Sequence, residues 1–299
     1  MSMFPTKILL ATDGSEEATL AAKTAAGIAA RTGSELHVIT VGPKYSYYEV
    51  PDYPAHFEEV LETQKRETRE MLDEQVRKIE ESGGTVKEAH LSMGERPDRA
   101  IVDLGEKLGV GLIVVGSRGL GPLKRTLMGS VSSSVVRHAH GPVLVVRDGE
   151  REVDYLPGRI LLALDGSEEA SSAAQTAVEL AERMDSELHV VHVGEVTPVY
   201  HPERHGYLAR YEELQEVAQR ILDVQVDKVK SAGGTVARAH LRMGRPDEEI
   251  VVLGEEIGAG LIVTGSRGLG GIKRALMGSV SDSVVHHSPS PVLVVRTGR

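Results

Sequence analysis

The sequence predicts an α/β protein of two tandem domains, each with a five-stranded, parallel, doubly wound sheet and helices on both faces. The first supporting observation is a duplication, since Lys7–Ala18 recurs as Arg159–Ala170 and Pro142–Val146 recurs as Pro291–Val295. The second is that short apolar runs alternate with helical patterns in each copy, which is typical of parallel strands joined by right-handed crossovers. The copies lie about 150 residues apart, which is too long for a solenoid repeat and fits two domains.

Five strands and four helices are predicted in alternation along the first copy. The strands are expected at Lys7–Thr12, Glu35–Val41, Thr85–Leu91, Leu112–Val115 and Val143–Val146. The helices are expected at Glu16–Arg31, Phe57–Glu81, Pro97–Leu108 and Ser130–His138. The longest helix carries apolar residues at helical spacing, among them Leu72, Val76 and Ile79.

The boundary between the domains is predicted in a polar stretch that precedes Pro157-Gly158. The first domain is expected to comprise residues 1–147, the linker residues 148–158 and the second domain residues 159–299. Each domain is long enough to bury a hydrophobic core of its own.

Composition and charge exclude several classes of function. The chain has 299 residues, no cysteine and a formal net charge of −10, so disulfides, thiolate metal sites and cysteine nucleophiles are excluded. An acidic balance without a clustered basic face argues against nucleic acid as a partner. No apolar stretch approaches the roughly 18 residues of a membrane helix, and the first residues lack a signal-peptide pattern. We therefore expect a cytoplasmic protein without a membrane or nucleic acid partner.

A glycine pattern at the end of the fourth predicted strand occurs in both copies. Gly-Ser-Arg-Gly is followed by nine residues and then Gly-Ser, which opens into the last helix. Glycines allow the backbone to approach an anion closely, and the N–H groups at a helix start attract one. The pattern therefore predicts a phosphate-binding loop, and hence a nucleotide, in each domain. Its residues are Gly116, Gly119, Gly129 and Ser130 in the first copy and Gly265, Gly268, Gly278 and Ser279 in the second.

The first turn of the last helix supplies further candidates. Ser130 and Ser279 are candidate N-caps, and a capping serine still leaves its own and neighbouring N–H groups to a phosphate. Ser132 and Ser281 either assist in binding or face solvent. The cofactor-binding candidates of this turn are Ser130, Val131 and Ser132 and, in the second copy, Ser279, Val280 and Ser281.

Carboxylates and cations accompany the glycine pattern. Asp13 and Asp165 follow the first strand of each copy, where they either accept hydrogen bonds from a ribose or base or serve as turn residues before glycine. The cations of the loops either neutralise a triphosphate or face solvent. These cations are Arg118, Lys124, Arg125, Arg267, Lys273 and Arg274.

Other signatures are absent from the sequence. The loop is not a Walker A loop, and Asp-Gly-Ser follows the first strand in place of the dinucleotide fingerprint. No Ser-His-Asp or Gly-x-Ser-x-Gly signature occurs, so no catalytic residue is predicted. The strand histidines His37, His90, His189 and His240 alternate with apolar residues and are interpreted as structural, and no metal site is predicted.

The last strand of each copy bears on assembly. Val143–Val146 and Val292–Val295 are apolar on both faces and carry no charge. If these strands lie at a sheet edge, they can pair with each other and join the halves about a pseudo-twofold axis; otherwise they are ordinary interior strands.

Over nearly its whole length the sequence resembles the universal stress protein family in its tandem two-domain form. The family's nucleotide motif, Gly-x2-Gly-x9-Gly-Ser/Thr, matches both glycine patterns, and its aspartate after strand one matches Asp13 and Asp165. Its adenine-contacting position at the end of strand two matches Val41 and Val193. The resemblance implies a Rossmann-like fold, ATP in each domain with Mg²⁺ as an optional companion, domain pairing through the last strands, and a homodimer of tandem chains.

The resemblance also implies a nucleotide-dependent regulator of stress response or growth control, acting on an unidentified protein partner. Two alternatives stay open, namely a weak ATPase or nucleotide-transferring enzyme of the same fold and an adaptor with vestigial sites. The loops after the second strands, at residues 43–55 and 195–206, differ between the copies, which puts equal affinity of the two sites in question.

Overall fold

The computed structural model describes residues 3–44, 57–119, 128–147, 157–195, 207–268 and 277–296. The chain divides into two compact units, residues 3–148 and residues 149–299. The predicted linker lies outside the described residues except for Pro157 and Gly158. Four of the predicted loop cations also lie outside them, namely Lys124, Arg125, Lys273 and Arg274.

Each unit alternates five strands with four helices, as the sequence predicts. The elements of the first unit are β1 Lys7–Ala11, α1 Glu16–Thr32, β2 Glu35–Val41, α2 Phe57–Glu81, β3 Glu88–Ser92, α3 Pro97–Leu108, β4 Leu112–Gly116, α4 Ser130–His138 and β5 Val143–Val146. Those of the second unit are β6 Arg159–Ala163, α5 Glu168–Met184, β7 Glu187–Gly194, α6 Tyr207–Ser231, β8 Val236–Met243, α7 Pro246–Ile257, β9 Leu261–Gly265, α8 Ser279–His287 and β10 Val292–Val295.

The five strands of each unit form a parallel sheet. Their order is β3-β2-β1-β4-β5 in the first unit and β8-β7-β6-β9-β10 in the second. The chain moves outward from the first strand to the third and then returns to its other side, so the strand order reverses between β1 and β4 and between β6 and β9. In a doubly wound sheet, ligands bind beyond the carboxyl ends of the strands at this reversal.

Helices cover both faces of each sheet. Successive side chains of a strand point to opposite faces, and Ile8, Leu9 and Leu10 of β1 are all fully buried. The same holds for Ile160–Leu162 of β6. In the first unit α1 packs on β1, β4 and β5, whereas α3 packs on β1, β2 and α4. The α/β architecture predicted from the sequence is confirmed.

The first helix of each unit begins beside the carboxyl ends of the central strands. Its N-cap is a serine whose Oγ accepts a hydrogen bond from the third helical residue, at 3.2 Å for Ser15 and 3.1 Å for Ser167. The fully buried Ala21 and Ala25 let α1 lie close to the sheet. This packing brings Glu17, the second residue of α1, next to the end of β4.

Two strand boundaries differ from simple expectation. The strand β3 spans Glu88–Ser92 rather than Thr85–Leu91, because its pairing with β2 begins at His37 and Glu88. Its counterpart β8 begins earlier, at Val236. Leu188 pairs with Val236 and His189 pairs with Arg238, so the register shifts by one residue between these two pairs. The other boundaries of the first unit agree with the predicted ones to within one residue.

Candidate functional site

In each unit a cavity opens at the carboxyl ends of the two central strands. Its volume is about 280 Å³ in the first unit and about 600 Å³ in the second. All nine residues predicted for each copy line the cavity of that copy. Those of the first are Asp13, Val41, Gly116, Arg118, Gly119, Gly129, Ser130, Val131 and Ser132. Those of the second are Asp165, Val193, Gly265, Arg267, Gly268, Gly278, Ser279, Val280 and Ser281.

Asp13 lies in the turn that leads from β1 into α1. Its Oδ1 accepts a hydrogen bond from Ser15 N at 3.1 Å, and Asp165 Oδ1 accepts one from Ser167 N at 2.9 Å. Each aspartate therefore does stabilise the turn before glycine. The same bond holds the carboxylate in one orientation at the edge of the cavity, so the turn role and a ligand-binding role are compatible.

The second glycine of each loop makes room for this carboxylate. A Cβ built on Gly119 would overlap Asp13 Oδ2, and a Cβ built on Gly268 would overlap Asp165 Oδ2. Any side chain at these positions would displace either the loop or the carboxylate. The glycine therefore has a steric role toward the aspartate that its spacing in the sequence does not reveal.

The first glycine of each loop allows a strand end to approach a helix start. A Cβ on Gly116 would lie 3.0 Å from Glu17 C, and a Cβ on Gly265 would lie 2.9 Å from Glu169 C. These neighbours are backbone atoms, which cannot rotate away as a side chain can. Glycine therefore lets β4 and β9 end directly against α1 and α5, at the wall of the cavity.

In each unit one backbone carbonyl accepts hydrogen bonds from both the third loop glycine and a serine of the last helix. Ser117 O accepts a hydrogen bond from Gly129 N at 2.7 Å and another from Ser132 Oγ at 2.7 Å. The equivalent bonds to Ser266 O measure 2.7 and 3.1 Å in the second unit. These bonds place the start of α4, and of α8, beside the end of the preceding strand.

The helix after the loop begins with an uncapped turn. The N-cap interpretation of Ser130 and Ser279 is wrong, because the N-caps are Gly129 and Gly278, and in the part of the chain that the structure describes no side chain caps either helix. The serines are instead the first helical residues. The first N–H groups of an α-helix have no partner within the helix, so a glycine cap leaves them available to an anion.

The guanidinium of Arg118 is paired within the protein. Glu17, which is only 5% exposed, accepts hydrogen bonds from Arg118 Nε at 2.5 Å, from Arg118 N at 2.6 Å and from Ser117 Oγ at 2.5 Å. In the second unit Arg267 Nη2 pairs with Glu169 Oε1 at 2.7 Å. Sequence analysis missed both glutamates, because each follows an equally acidic residue in a first helical turn, where acidic residues are common.

A second arginine in each unit adds positive charge behind the glycine loop. Burial lowers the pKa of Arg147, an effect that Glu17 opposes and Arg118 reinforces. Burial also lowers the pKa of Arg296 to about 10, with Arg267 contributing in the same direction. Arg296 therefore stays cationic at neutral pH. In each unit two guanidinium groups accompany two carboxylates, which are Glu17 and Asp13 in the first unit and Glu169 and Asp165 in the second, so these charges are balanced.

Apolar residues on the far side of the cavity were not predicted. Pro97 and Ile101 of α3 line the first cavity together with Ile39, and Pro246 and Ile250 of α7 line the second. The Arg-Pro pair at the start of the third helix occurs in both copies and could have indicated these residues from the sequence, because a Pro at the first helical position marks where a helix begins. These residues form a surface suited to a flat aromatic base.

The two cavities are not equivalent. The second extends to α6, of which Leu214, Val217 and Ile221 line the wall. His192 also lines it, and its Nδ1 lies 2.8 Å from a backbone carbonyl oxygen. The corresponding residue of the first unit is Thr40.

Comparison with known proteins identifies the family. The sequence profile of the universal stress protein family matches residues 5–147 and again residues 157–296. The chain belongs to the universal stress protein family. Both halves match separately, so the predicted tandem form is confirmed.

Proteins of similar length match this chain over nearly all of it. The chain is 29% identical over 297 residues to a universal stress protein of Mycolicibacterium smegmatis, which covers 97% of this chain and 96% of the relative. A universal stress protein structure from Archaeoglobus fulgidus DSM 4304 matches with a TM-score of 0.71 and 28% identity, covering 99% of this chain and 98% of that one. A functionally unknown protein, PA1789 from Pseudomonas aeruginosa PAO1, matches with a TM-score of 0.68 and 19% identity over 99% and 94% of the two chains, a likeness of fold alone.

Proposed function

We propose that each domain of this universal stress protein binds ATP and that the chain is a nucleotide-dependent regulator in stress response or growth control. One observation carries the proposal. In both units an uncapped helix start and a glycine loop line a cavity at the reversal of strand order, where doubly wound proteins hold ligands.

The residues of the first cavity fit the three parts of a nucleotide. The N–H groups of residues 130–132 suit phosphate oxygens, and Asp13 Oδ2 suits a ribose hydroxyl. Ile39, Pro97 and Ile101 suit the face of an adenine, and the backbone of Val41 at the end of β2 suits its polar edge. The residues of the second cavity have the same arrangement.

A regulator is favoured over an enzyme by what lines the cavity. Among the described residues of the first cavity, Asp13 is the only carboxylate, and one of its oxygens is held by the turn. Phosphoryl transfer needs a positioned nucleophile, and no described residue there is placed to activate one. We therefore expect at most weak ATP hydrolysis at the first site.

We further propose that the protein is cytoplasmic, forms a homodimer of tandem chains, and acts on a protein partner rather than on nucleic acid or membrane. The family resemblance and the net charge of −10 support this proposal. In the described ranges no helix is long and apolar enough to cross a membrane. Sedimentation of the purified chain over a concentration series tests the dimer, and a single monomeric species would contradict it.

The first test is to denature the purified protein and quantify the released nucleotide by chromatography. ATP released from both sites would support nucleotide storage with slow turnover. Mostly ADP would favour the enzyme and lead to a hydrolysis assay. If no nucleotide is released and titration with millimolar ATP also shows no binding, the proposal is wrong and the adaptor is favoured. Repeating the titration with EDTA shows whether Mg²⁺ contributes.

Replacing Asp13 by Asn tests the ribose contact in the first site. The amide keeps the oxygen that accepts the bond from Ser15 N and replaces the other oxygen by an NH2 group, which cannot accept a hydrogen bond from a ribose hydroxyl. A hydrogen bond to a charged group is worth about 1.5–3 kcal/mol, so we expect the affinity of this site for ATP to fall roughly 10- to 100-fold. Calorimetric titration measures the change. The exposed Asp103→Asn in α3 loses the same charge and serves as the control; equal affinities for the two variants would rule out the contact.

A further inference from the structure

A cluster of two histidines and a glutamate lies where strands β2 and β3 begin, away from the carboxyl ends that line the cavity. His37 is near the start of β2, and Glu88 and His90 are near the start of β3. The register pairs His37 with Glu88, and His90 follows two residues later, so all three side chains lie on one face of the sheet. The proposed function makes no use of this cluster.

The distances within the cluster match those between metal ligands. His37 Nδ1 lies 3.3 Å from His90 Nε2, and Glu88 Oε2 lies 3.9 Å from the first nitrogen and 3.7 Å from the second. Ligands about 2.1 Å from a tetrahedral zinc ion are separated by roughly 3.4 Å. A shift of a few tenths of an ångström, mostly in the exposed Glu88, would therefore complete three corners of a tetrahedron.

The outer nitrogen of His37 also suits a ligating imidazole. The side chain of His37 is only 4% exposed, and among the described residues its Nε2 has no hydrogen-bond partner. A histidine that binds a metal through Nδ1 carries its proton on Nε2, and such a proton is usually donated to a carboxylate. Glu35 Oε2 lies 3.8 Å from this nitrogen, so a small rotation of the exposed Glu35 side chain would supply that acceptor.

We propose that His37, His90 and Glu88 form a binding site for a divalent transition metal, with Zn²⁺ as its ion. Two imidazoles and one carboxylate are a donor set that zinc uses when its fourth position is open to water. Imidazole donors also favour zinc over magnesium or calcium, which prefer oxygen ligands. This proposal departs from the sequence-based interpretation of His37 and His90 as structural residues.

The second unit lacks the carboxylate and provides an internal comparison. His189 and His240 form the same stacked pair, with His189 Nδ1 3.0 Å from His240 Nε2. The residue paired with His189 in the register is Arg238, where the first unit has Glu88. His189 Nε2, like His37 Nε2, has no hydrogen-bond partner among the described residues, so the carboxylate of Glu88 is what distinguishes the first unit.

Charged neighbours of the cluster balance one another. Glu35 lies beside His37, and Lys87 Nζ is 3.7 Å from Glu35 Oε1. Burial lowers the pKa of His90, an effect that Glu88 opposes and that His37 and Lys107 reinforce. A cation bound at the cluster is thus compensated chiefly by Glu88, which makes this residue the decisive one to change.

The test uses the full chain and Zn²⁺ as the probe. Wild type, Glu88→Arg and Arg238→Glu are each dialysed against the same zinc chloride solution, and bound zinc is measured by mass spectrometry alongside nucleotide content. Glu88→Arg gives the first unit the residue that the second unit has at the equivalent position, and Arg238→Glu makes the opposite exchange. Both positions are exposed, so neither change removes buried contacts.

We expect wild type to hold one zinc ion per chain, Glu88→Arg to bind at least about 100-fold more weakly, and Arg238→Glu to gain a second ion. Zinc that is bound by the phosphates of a nucleotide would remain in Glu88→Arg, whereas zinc bound by the histidine cluster would be lost. This variant therefore distinguishes the two kinds of bound zinc. The proposal is overturned if wild type binds no zinc, if Glu88→Arg binds as wild type does, or if Arg238→Glu gains nothing. Loss of nucleotide binding alone would leave these results unchanged.

Discussion

Replacing Gly119 and Gly268 together by alanine is expected to abolish nucleotide retention by the purified protein. In either unit the new Cβ would overlap the aspartate oxygen that faces the loop, so the carboxylate or the loop must move. A nucleotide would then lose two or more hydrogen bonds to its charged and ribose groups. At about 1.5 kcal/mol each, this loss weakens binding at least roughly 100-fold.

The chain offers a matched control for this experiment. Gly141 and Gly158 lie one in each unit, and a Cβ on either has open space, the nearest atom being 3.9 Å from Gly141 and none lying within 4 Å of Gly158. The double variant at these positions adds the same two methyl groups without touching a cavity. Released nucleotide is measured for both double variants, and each single variant at 119 or 268 should retain nucleotide in the other site. Equal retention by the two double variants would refute the steric role of the loop glycines.

Replacing Glu17 by alanine is expected to destabilise the first unit by about 3–5 kcal/mol. Removing one partner of a buried ion pair leaves the other without compensation, and here Arg118, Ser117 Oγ and the Arg118 backbone N–H all lose their acceptor. For a unit of this size the midpoint of thermal unfolding should fall by roughly 2–4 °C per kcal/mol.

Two further variants calibrate the effect of Glu17→Ala. Glu16 is exposed and precedes Glu17 in the same helical turn, so Glu16→Ala removes an equal charge near the helix start without breaking a buried pair. Glu169→Ala should cost less than Glu17→Ala, because the Glu169 side chain is 15% exposed and that of Glu17 6%. Thermal unfolding of all three variants is followed by circular dichroism. A Glu17→Ala midpoint within a degree or two of the Glu16→Ala midpoint would show that the buried pair does not stabilise the unit.

These two experiments test different parts of the same site, namely the residues that line the cavity and the ion pair that supports them. The glycine variants change the cavity wall and leave the ion pair intact, whereas Glu17→Ala changes the support behind the loop and leaves Gly119 and Asp13 in place. If Glu17→Ala lowers stability and nucleotide retention together, the ion pair positions the loop for binding. If stability alone falls, its contribution is to the fold.

Several properties of this protein follow from its sequence alone. The order of strands and helices was predictable because hydrophobic periodicity and capping residues are local signals. The loop residues Gly116, Gly119 and Gly129 were predictable as one site because their spacing recurs in the second half and because parallel strands bring their carboxyl ends to one edge. The family resemblance rested on the same residues, and the family comparison confirms it.

Other properties were decided only by the tertiary structure. The burial of Glu17 depends on how closely α1 approaches β4, a distance that no local pattern encodes. The start of β3 depends on where its hydrogen bonds with β2 begin, and that register also brings Glu88 and His90 beside His37 across some fifty positions of sequence. Contacts of this kind arise from the pairing of distant segments, so no local pattern reveals that Glu88 lies beside His37 or that Arg238 lies beside His189.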